Sequence, residues 1–275
     1  MSILSSYGSS QTGIVRTENQ DAVRSYEPED SQTVESHGQL YAVADGLGGY
    51  EHGGIASTLA LETFFSNFYS GSPYKSPQNL RQSFQAANLA VAQAAQRLQA
   101  RMGTTLSAIN IFGDQLHIAH IGDSRVYLIR DGKALCLTQD HTAVGELVRM
   151  RVLSPDKVRT HERRSVLEKC LGMQLFVQPD ISRHTIEADD VLILCTDGIW
   201  AYVEDDEFAK LTLARREPQQ ISQTLIETAL ARESDDNVSA LVIHAVQITS
   251  SLAPQKNNRF SLTQFIRGRL TGKTS

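Results

Sequence analysis

The chain is poor in cysteine. Its 275 residues hold three, Cys136, Cys170 and Cys195. They form no CxxC pair and no Cys/His cluster, which excludes a disulfide framework and a zinc site. Each sits among apolar neighbours ("ALCL", "LEKCLG", "LILCT") and reads as a small buried hydrophobe. Long hydrophobic runs are also missing, so no window reaches the length of a membrane span. The first residues, "MSILSSYGSSQTG", lack a basic segment followed by an apolar core and are not read as a signal peptide. A cytoplasmic protein is expected. Excess positive charge is absent too. The formal net charge is −5, and residues 251–275 contain five basic groups and no acid, so the preceding 250 residues carry −10. An acidic body excludes nucleic acid as the main partner, because a phosphate backbone needs a basic footprint. It suits a site that collects cations. Apolar residues make up 41% and charged residues 21%, ordinary for a globular chain with one sizeable core.

Secondary structure comes in blocks. Residues 7–26 read as a polar loop around "RTENQD", and "GQLYAVAD" (38–45) as a strand. Apolar residues at helical spacing predict a helix over 55–69. A second is predicted from Ser76, taken as its cap with Pro77 at the first position, to about Arg101. Its core face carries Leu80, Phe84, Ala87, Ala90 or Val91, and Ala94. Strands follow at "TTLSAINIFG", "QLHIAHIGD", "SRVYLIRDG" and "KALCLTQD", with hairpin turns at Gly113-Asp114 and Asp131-Gly132. Residues 141–172 mix helix and loop. Strands resume at "ISRHTIE" and "DDVLILCTDG"; helices follow near 205–212 and 218–232, and "NVSALVIHAVQ" closes the body as an edge strand. Blocks of strands and helices, without regular alternation, imply an α+β layered domain of antiparallel sheets with helices on their outer faces. The polar, basic tail reads as a disordered segment; a docking helix or an anionic-membrane contact is the alternative.

One feature recurs. Strands end on an acid followed by a small or polar residue in "YAVADG", "HIAHIGDS" and "LILCTDG", and two more acids lie in "RTENQD" and "ESDDNVS". The candidates are Asp21, Asp45, Asp123, Asp197 and Asp236. A single Asp-Gly is commonly a turn former. Three such ends on strongly apolar strands gather carboxylates in one place, where they repel each other. A divalent cation relieves that repulsion. With no thiolate or histidine cluster beside them, oxygen-only ligands select hard ions such as Mg²⁺ or Mn²⁺. The glycine run after Asp45, Gly46, Gly48, Gly49, Gly53 and Gly54, lets something approach the backbone closely.

The stretches "RTENQD", "VADGLGG", "MGTTLSA", "HIGDSRVYLIRDG", "LTQDHT", "LCTDGIW" and "DDNVSALVI" stand in the order and approximate spacing of a known family. Over residues 7–247 the chain resembles the metal-dependent protein serine/threonine phosphatases of type 2C, the bacterial branch above all. The resemblance implies a four-layer α-β-β-α sandwich of two antiparallel sheets flanked by helices. It implies a catalytic domain over 1–248 followed by the tail 249–275. It also implies two, or with a weaker one three, Mn²⁺ or Mg²⁺ ions, and direct attack of a metal-bridging water on phosphoserine or phosphothreonine. Asp45 matches the bridging carboxylate and Gly46 the residue whose carbonyl binds one ion. Asp197 and Asp236 match the remaining ligands of the first ion; Asp236 is preferred to Asp235 because it directly precedes Asn237-Val238. Asp21 matches a residue of the second ion. Asp123 matches a ligand of the third, with Asp197 shared. Arg16 matches the arginine that grips the substrate phosphate with its planar fork. None of the cysteines has an arginine six positions on, so nothing resembles the loop of thiol phosphatases.

The chain departs from the family pattern in places. Gln20 stands where some members have glutamate, which puts more weight on Asp21 for the second ion. Leu47 and Tyr50 replace residues common in relatives, and the general-acid histidine proposed for animal members falls at Leu47. His52 is either a loop residue or a stand-in for that acid. The cluster Arg159, His161, Arg163 and Arg164, in a stretch matching the family's flap, either meets a phosphopeptide or forms a solvated helix face. His141 reads as holding a turn, and Trp200, the only tryptophan, as packing under the metal loop. The expected partners are phosphorylated proteins, a Ser/Thr kinase among them, with the chain a monomer. Two other readings remain at this level: a regulatory binding module on the same fold, or a hydrolase of phosphorylated metabolites.

Overall fold

The structure is a computed structural model that describes residues 2–47, 52–215 and 217–249. Along it run β1 (Ile3–Gln11), β2 (Asp21–Tyr26), α1 (Ser31–His37), β3 (Gln39–Leu47), α2 (Gly53–Tyr69), α3 (Ser76–Leu98), β4 (Gly103–Thr104), β5 (Leu106–Phe112), β6 (Gln115–Ile121), β7 (Arg125–Arg130), β8 (Lys133–Cys136), α4 (Ala143–Arg149), β9 (Asp180–Thr185), β10 (Val191–Cys195), α5 (Asp197–Trp200), α6 (Asp205–Leu213), α7 (Pro218–Ala231) and β11 (Val238–Gln247). One sheet has the order β1-β11-β10-β7-β8. The other has the order β2-β3-β5-β6-β9, with β4 added beside β3. Their pairings are antiparallel.

Period-two alternation decides the layering. In β3, Leu40, Ala42 and Ala44 pack outward on α2 and α3, with Phe64, Phe68, Leu80 and Phe84. Tyr41 and Val43 of the same strand face inward and meet Leu192, Leu194, Leu241 and Ile243 of the other sheet. From β10 and β11, Ile193, Cys195, Ala240 and Val242 point the opposite way, onto Phe208, Ile221 and Leu225 of α6 and α7. Three apolar cores therefore separate four layers, as the resemblance implied. Both faces of the inner strands are buried, which is why "LILC" and "SALVI" read as continuous apolar runs.

Several local expectations need correction. The loop read over 7–26 shrinks to 12–20, because β1 and β2 occupy its flanks. β1, "ILSSYGSSQ", carries little apolar alternation and forms by pairing with β11. That pairing also puts β11 between β1 and β10, so it is a central strand and not an edge. α1 has no counterpart in the sequence pattern; it is seven residues long and has no buried residue. Ser76 is the first residue inside α3, not its cap. The cap position belongs to Lys75, whose side chain makes no capping bond. The helix ends at Leu98, because Gln99 takes a left-handed conformation (φ 51°). On its buried face the residue is Val91, not Ala90. The Asp131-Gly132 hairpin is borne out, with φ of 50° and 71°, the pair of positive values that a tight two-residue turn requires.

Residues 141–172 form an arm. It holds α4 and a single 3₁₀ turn at Pro155–Lys157. The isolated bridge Thr142↔Leu167 closes it on itself, and Thr104↔Leu171 binds it back to the body. The expected tail, 249–275, lies outside the described residues save Thr249.

The outer core beneath α2 rests on a cluster of rings. Phe64 is fully buried, with ring centroids 5.8 Å from Phe65 and 5.2 Å from Phe84. Phe64→Ala is expected to lower stability by about 3–5 kcal/mol, measured by urea unfolding. A loss under about 1 kcal/mol would mean the ring does not fill that core.

Candidate active site

The ends of β3, β6 and β10, the start of β11 and the loop 12–20 meet at one edge of the sandwich. Between them lies a cleft of about 600 Å³ lined by Arg16, Gln20, Asp45, Gly46, Leu47, Asp123, Ser165, Leu167, Asp197, Asp236 and Asn237, among others. Asp45 and Asp123 come from one sheet, Asp197 and Asp236 from the other. The cleft is thus where the two sheets present their carboxylates to each other. Asp21 is placed differently. It pairs with Asp45 in register across β2 and β3. Its Oδ2 accepts hydrogen bonds from Thr196 Oγ1 (2.8 Å) and Ser239 Oγ (2.5 Å) of the facing sheet. It stands just behind the cleft lining.

The backbone around Asp45 is fixed on both sides. Its N–H donates to Thr105 Oγ1 (2.9 Å), and its carbonyl accepts from Thr104 Oγ1 (2.8 Å) and from the Thr105 N–H (2.9 Å). Gly46 follows because no side chain fits: a Cβ there would lie 2.2 Å from the Gly53 carbonyl oxygen. Asn237 ties down the loop that bears Arg16. Its Nδ2 donates to the Thr12 and Glu18 carbonyls (2.8 and 2.9 Å), and its Oδ1 accepts from the Gln20 N–H (2.8 Å). Arg16 Nη2 donates to Asp236 Oδ2 at 2.8 Å.

Asp123 is framed by Gly122 and Ser124. Gly122 has φ +112°, a conformation that favours glycine, and exchanges two hydrogen bonds with His141. His141 therefore holds the turn, as read. Ser124 Oγ meets Thr105 Oγ1 at 2.9 Å, so the Asp123 and Asp45 segments share one hydroxyl pair.

Electrostatics is the dominant feature. Burial, then the charges of Asp21, Asp197, Asp123 and Asp236, hold the Asp45 carboxyl well above the usual range. Burial, then Asp197 and Asp140, does the same to Asp123. Asp197 is pushed up to about 7 by burial and by Asp236 and Asp21. Asp21 rises to about 6 through burial, against the pull of its two hydroxyl donors. The Oδ1 atoms of Asp123 and Asp197 are buried without a hydrogen-bond partner. Orphaned carboxylate oxygens among like charges fit hard cations. Among the described residues no group of three His, Cys, Asp or Glu side chains is disposed to hold one ion by itself. Ions here would share carboxylates and complete their shells with carbonyl oxygens and water, as Mg²⁺ does elsewhere.

One sequence reading changes, and for His52 one of the two alternatives is met. Arg159 is neither a phosphopeptide contact nor part of a solvated helix face. Its side chain is only 8% exposed. It is bonded to the Trp200 and Val203 carbonyls (2.8 and 3.3 Å) and to Asp205 (2.6 Å). His52 takes the cap position of α2 and is not among the cleft-lining residues. Gly48, Gly49 and Tyr50 lie outside the described residues.

The model of the family described as Protein phosphatase 2C matches residues 5–155 and 168–238. The chain belongs to the protein phosphatase 2C family. Among relatives, it is 27% identical over 237 residues to a putative protein phosphatase 2C-type of Streptococcus pyogenes serotype M6, spanning 84% of this chain and 94% of that one. Among solved structures it resembles the PPM Ser-Thr phosphatase MsPP of Mycobacterium smegmatis in complex with cacodylate. That match has a TM-score of 0.78 and 32% identity, over 89% of this chain and 99% of that one. It also resembles the catalytic domain of the phosphatase PstP in complex with two manganese ions (TM-score 0.75, 31% identity, 89% and 99%). Asp21, Asp45, Asp123, Asp197 and Asp236 all lie within the residues that the protein phosphatase 2C family model matches.

Sequence reasoning treated Asn237 only as a marker for choosing Asp236, and it passed over Thr104, Thr105 and Ser239. The signal was present for Asn237, inside "DDNVS". For the hydroxyls it was not, since a buried Ser or Thr in a strand looks like any β-former.

The raised carboxyls fix a sign. In the protein stripped by chelator, protonated Asp197 supports the fold fully below about pH 4, and that support is lost as pH rises toward 7. Asp197→Asn is therefore expected to melt progressively higher than wild type as pH goes from 4 to 7. A difference in melting midpoint that stays constant over this range would refute the buried repulsion.

Proposed function

We propose that the chain is a metal-dependent serine/threonine protein phosphatase, with residues up to 248 forming its catalytic domain. The observation that carries this is the convergence of oxygen-only acids from both sheets, with orphaned oxygens, beside one exposed arginine. Two ions would share Asp45, with Asp197, Asp236 and the Gly46 carbonyl divided between them and water completing their shells; Asp21, behind the lining, would reach the second only through water, and Asp123 with Asp197 would hold a third. The ions are Mn²⁺ or Mg²⁺, and the two manganese ions of the PstP structure support that choice. When bound, they supply charge to offset that on the phosphoryl oxygens and an acidified water as nucleophile.

The chain's own residues do the rest. Arg16, half exposed, engages the Asp236 carboxylate. That contact uses a single nitrogen; a phosphate monoester offers paired acceptor oxygens, so it competes for the guanidinium and is oriented by its fork. Leu47, Ser165 and Leu167 wall the cleft and limit solvent around the reacting group. No histidine lines the cleft among the described residues, so the leaving oxygen of serine or threonine takes its proton from water. The cleft is open enough for a side chain carried on a protein. Phosphoproteins, a partner kinase among them, are the substrates proposed, acting in the cytoplasm. Among the described residues no helix is long and apolar enough to cross a membrane.

The test is hydrolysis of an aryl phosphate and of phosphoserine and phosphothreonine peptides, with Mn²⁺ and with chelator. Turnover of peptides only with metal is expected; equal rates in chelator would overturn the mechanism, and a preference for small metabolites would overturn the substrate class. Asp45→Asn is expected to cut kcat/KM at least about 1000-fold, ~4 kcal/mol of transition-state stabilisation. Arg16→Ala should cost about 10- to 100-fold, the worth of a charged hydrogen bond. Near wild-type rates in either variant would remove that residue from the site.

A further inference from the structure

Asp123 has an unusual support. Its main-chain carbonyl accepts a hydrogen bond from Trp200 Nε1 at 2.9 Å. Trp200 ends α5, the one-turn helix that Asp197 begins, so one short element carries Asp197 and also reaches the Asp123 backbone. Trp200 is itself held at two points, its ring and its main chain. The Arg125 guanidinium lies 3.7 Å from the ring centroid. Arg125 is kept there by a fork to Asp140 (3.0 and 2.7 Å) and a bond to the Tyr127 hydroxyl (3.1 Å). The Trp200 carbonyl is gripped by Arg159 Nε, from the arm, at 2.8 Å. Arg159 also bonds Asp205, which accepts from the Tyr127 hydroxyl at 2.9 Å, so the contacts at the Trp200 main chain and at its ring join into one circuit. Arg159 lies in the stretch 156–167 that the family match leaves out.

Packing alone would explain a large ring here, since Trp200 is fully buried beneath the cleft. Packing does not explain the N–H. A phenylalanine keeps a ring face for Arg125 and most of the volume but gives Asp123 no donor. The hydrogen bond fixes the chain at Asp123, from which projects a carboxylate whose Oδ1 has no hydrogen-bond partner.

We propose that Trp200 is a positioning residue for Asp123, and that Arg159 of the arm positions Trp200, so that cation affinity at Asp123 is set by a residue outside the cleft. The inference rests on the reading of the cleft as a cation site. Partners behind a metal ligand change metal affinity by about 10- to 100-fold when removed, because the ligand then samples orientations that do not bind.

The test titrates full-length wild type, Asp123→Asn, Trp200→Phe and Arg159→Met with Mn²⁺, reading the free ion by electron paramagnetic resonance and recording each melting midpoint. Asp123→Asn is expected to lose one class of site. Trp200→Phe should weaken that same class about 10- to 100-fold and leave the others unchanged. Arg159→Met should shift the same class in the same direction, with Mn²⁺ quenching of its one tryptophan moving to higher concentration. A Trp200→Phe isotherm that superimposes on wild type overturns the inference. So does a uniform weakening of every site in step with a lower melting midpoint, which marks a merely structural role. Full binding by Asp123→Asn overturns it as well. If Trp200→Phe does not fold, an unchanged Arg159→Met isotherm overturns it. Wild type that binds no Mn²⁺ brings down the reading of the cleft itself, a result separate from tight wild-type binding with an unaltered Trp200→Phe.

Discussion

Repulsion among buried carboxylates governs this molecule. Asp45, Asp123, Asp197 and Asp21 are drawn together at the meeting edge of two sheets, with Asp236 beside them, and burial denies them water. A cluster of that kind opposes folding. It persists because three apolar cores hold the strands that present it, and no single acid can withdraw without moving a strand. Functional sites commonly carry such local cost, offset by the surrounding structure. The same repulsion gives the cleft its appetite for hard cations.

Around the acids stands a second set of groups that does not touch the cleft. Thr104 and Thr105 fix the backbone of Asp45, Thr196 and Ser239 occupy Asp21, and Ser124 joins the Asp123 segment to Thr105. Hydroxyls suit this work because they satisfy lone pairs without adding charge to an overcharged place. Behind them, the buried Arg125–Asp140 pair is a device of geometry more than of stability. Its fork keeps a cation over the Trp200 ring, and the ring keeps its N–H on Asp123. The family's "LTQDHT" stretch thus has three separate tasks here: Asp140 holds Arg125, His141 holds the Gly122 turn, and Thr142 caps α4.

Much of this is legible in the residues alone. Apolar runs that lead into Asp45, Asp123 and Asp197 announce a convergence of acids, and seven motifs in register point to the family; β3 itself continues through Asp45 to Leu47. Other parts are not legible. β1 is mostly serine, glycine and tyrosine, with no alternation to mark it, and α1 buries nothing, so neither leaves a periodic trace. Arg159 looks like one of four surface cations in the sequence; only the fold shows it turned into the body, with its charge spent on two carbonyls and Asp205.

The sequence by itself determined the chemistry: which acids follow which apolar runs, the oxygen-only character of the site, and the alternation that gives each inner strand two buried faces. These are local properties, set by neighbouring residues and a period of two. Tertiary structure alone decided the company each group keeps. That β11 is central follows from its pairing with a strand more than 200 residues away. That Asp21 stands behind the cleft, bonded to Thr196 and Ser239, follows from how two sheets pack face to face. The reason is physical: a side chain's direction is fixed by its own strand, but its partner is chosen by long-range register and packing, which no short stretch of sequence contains.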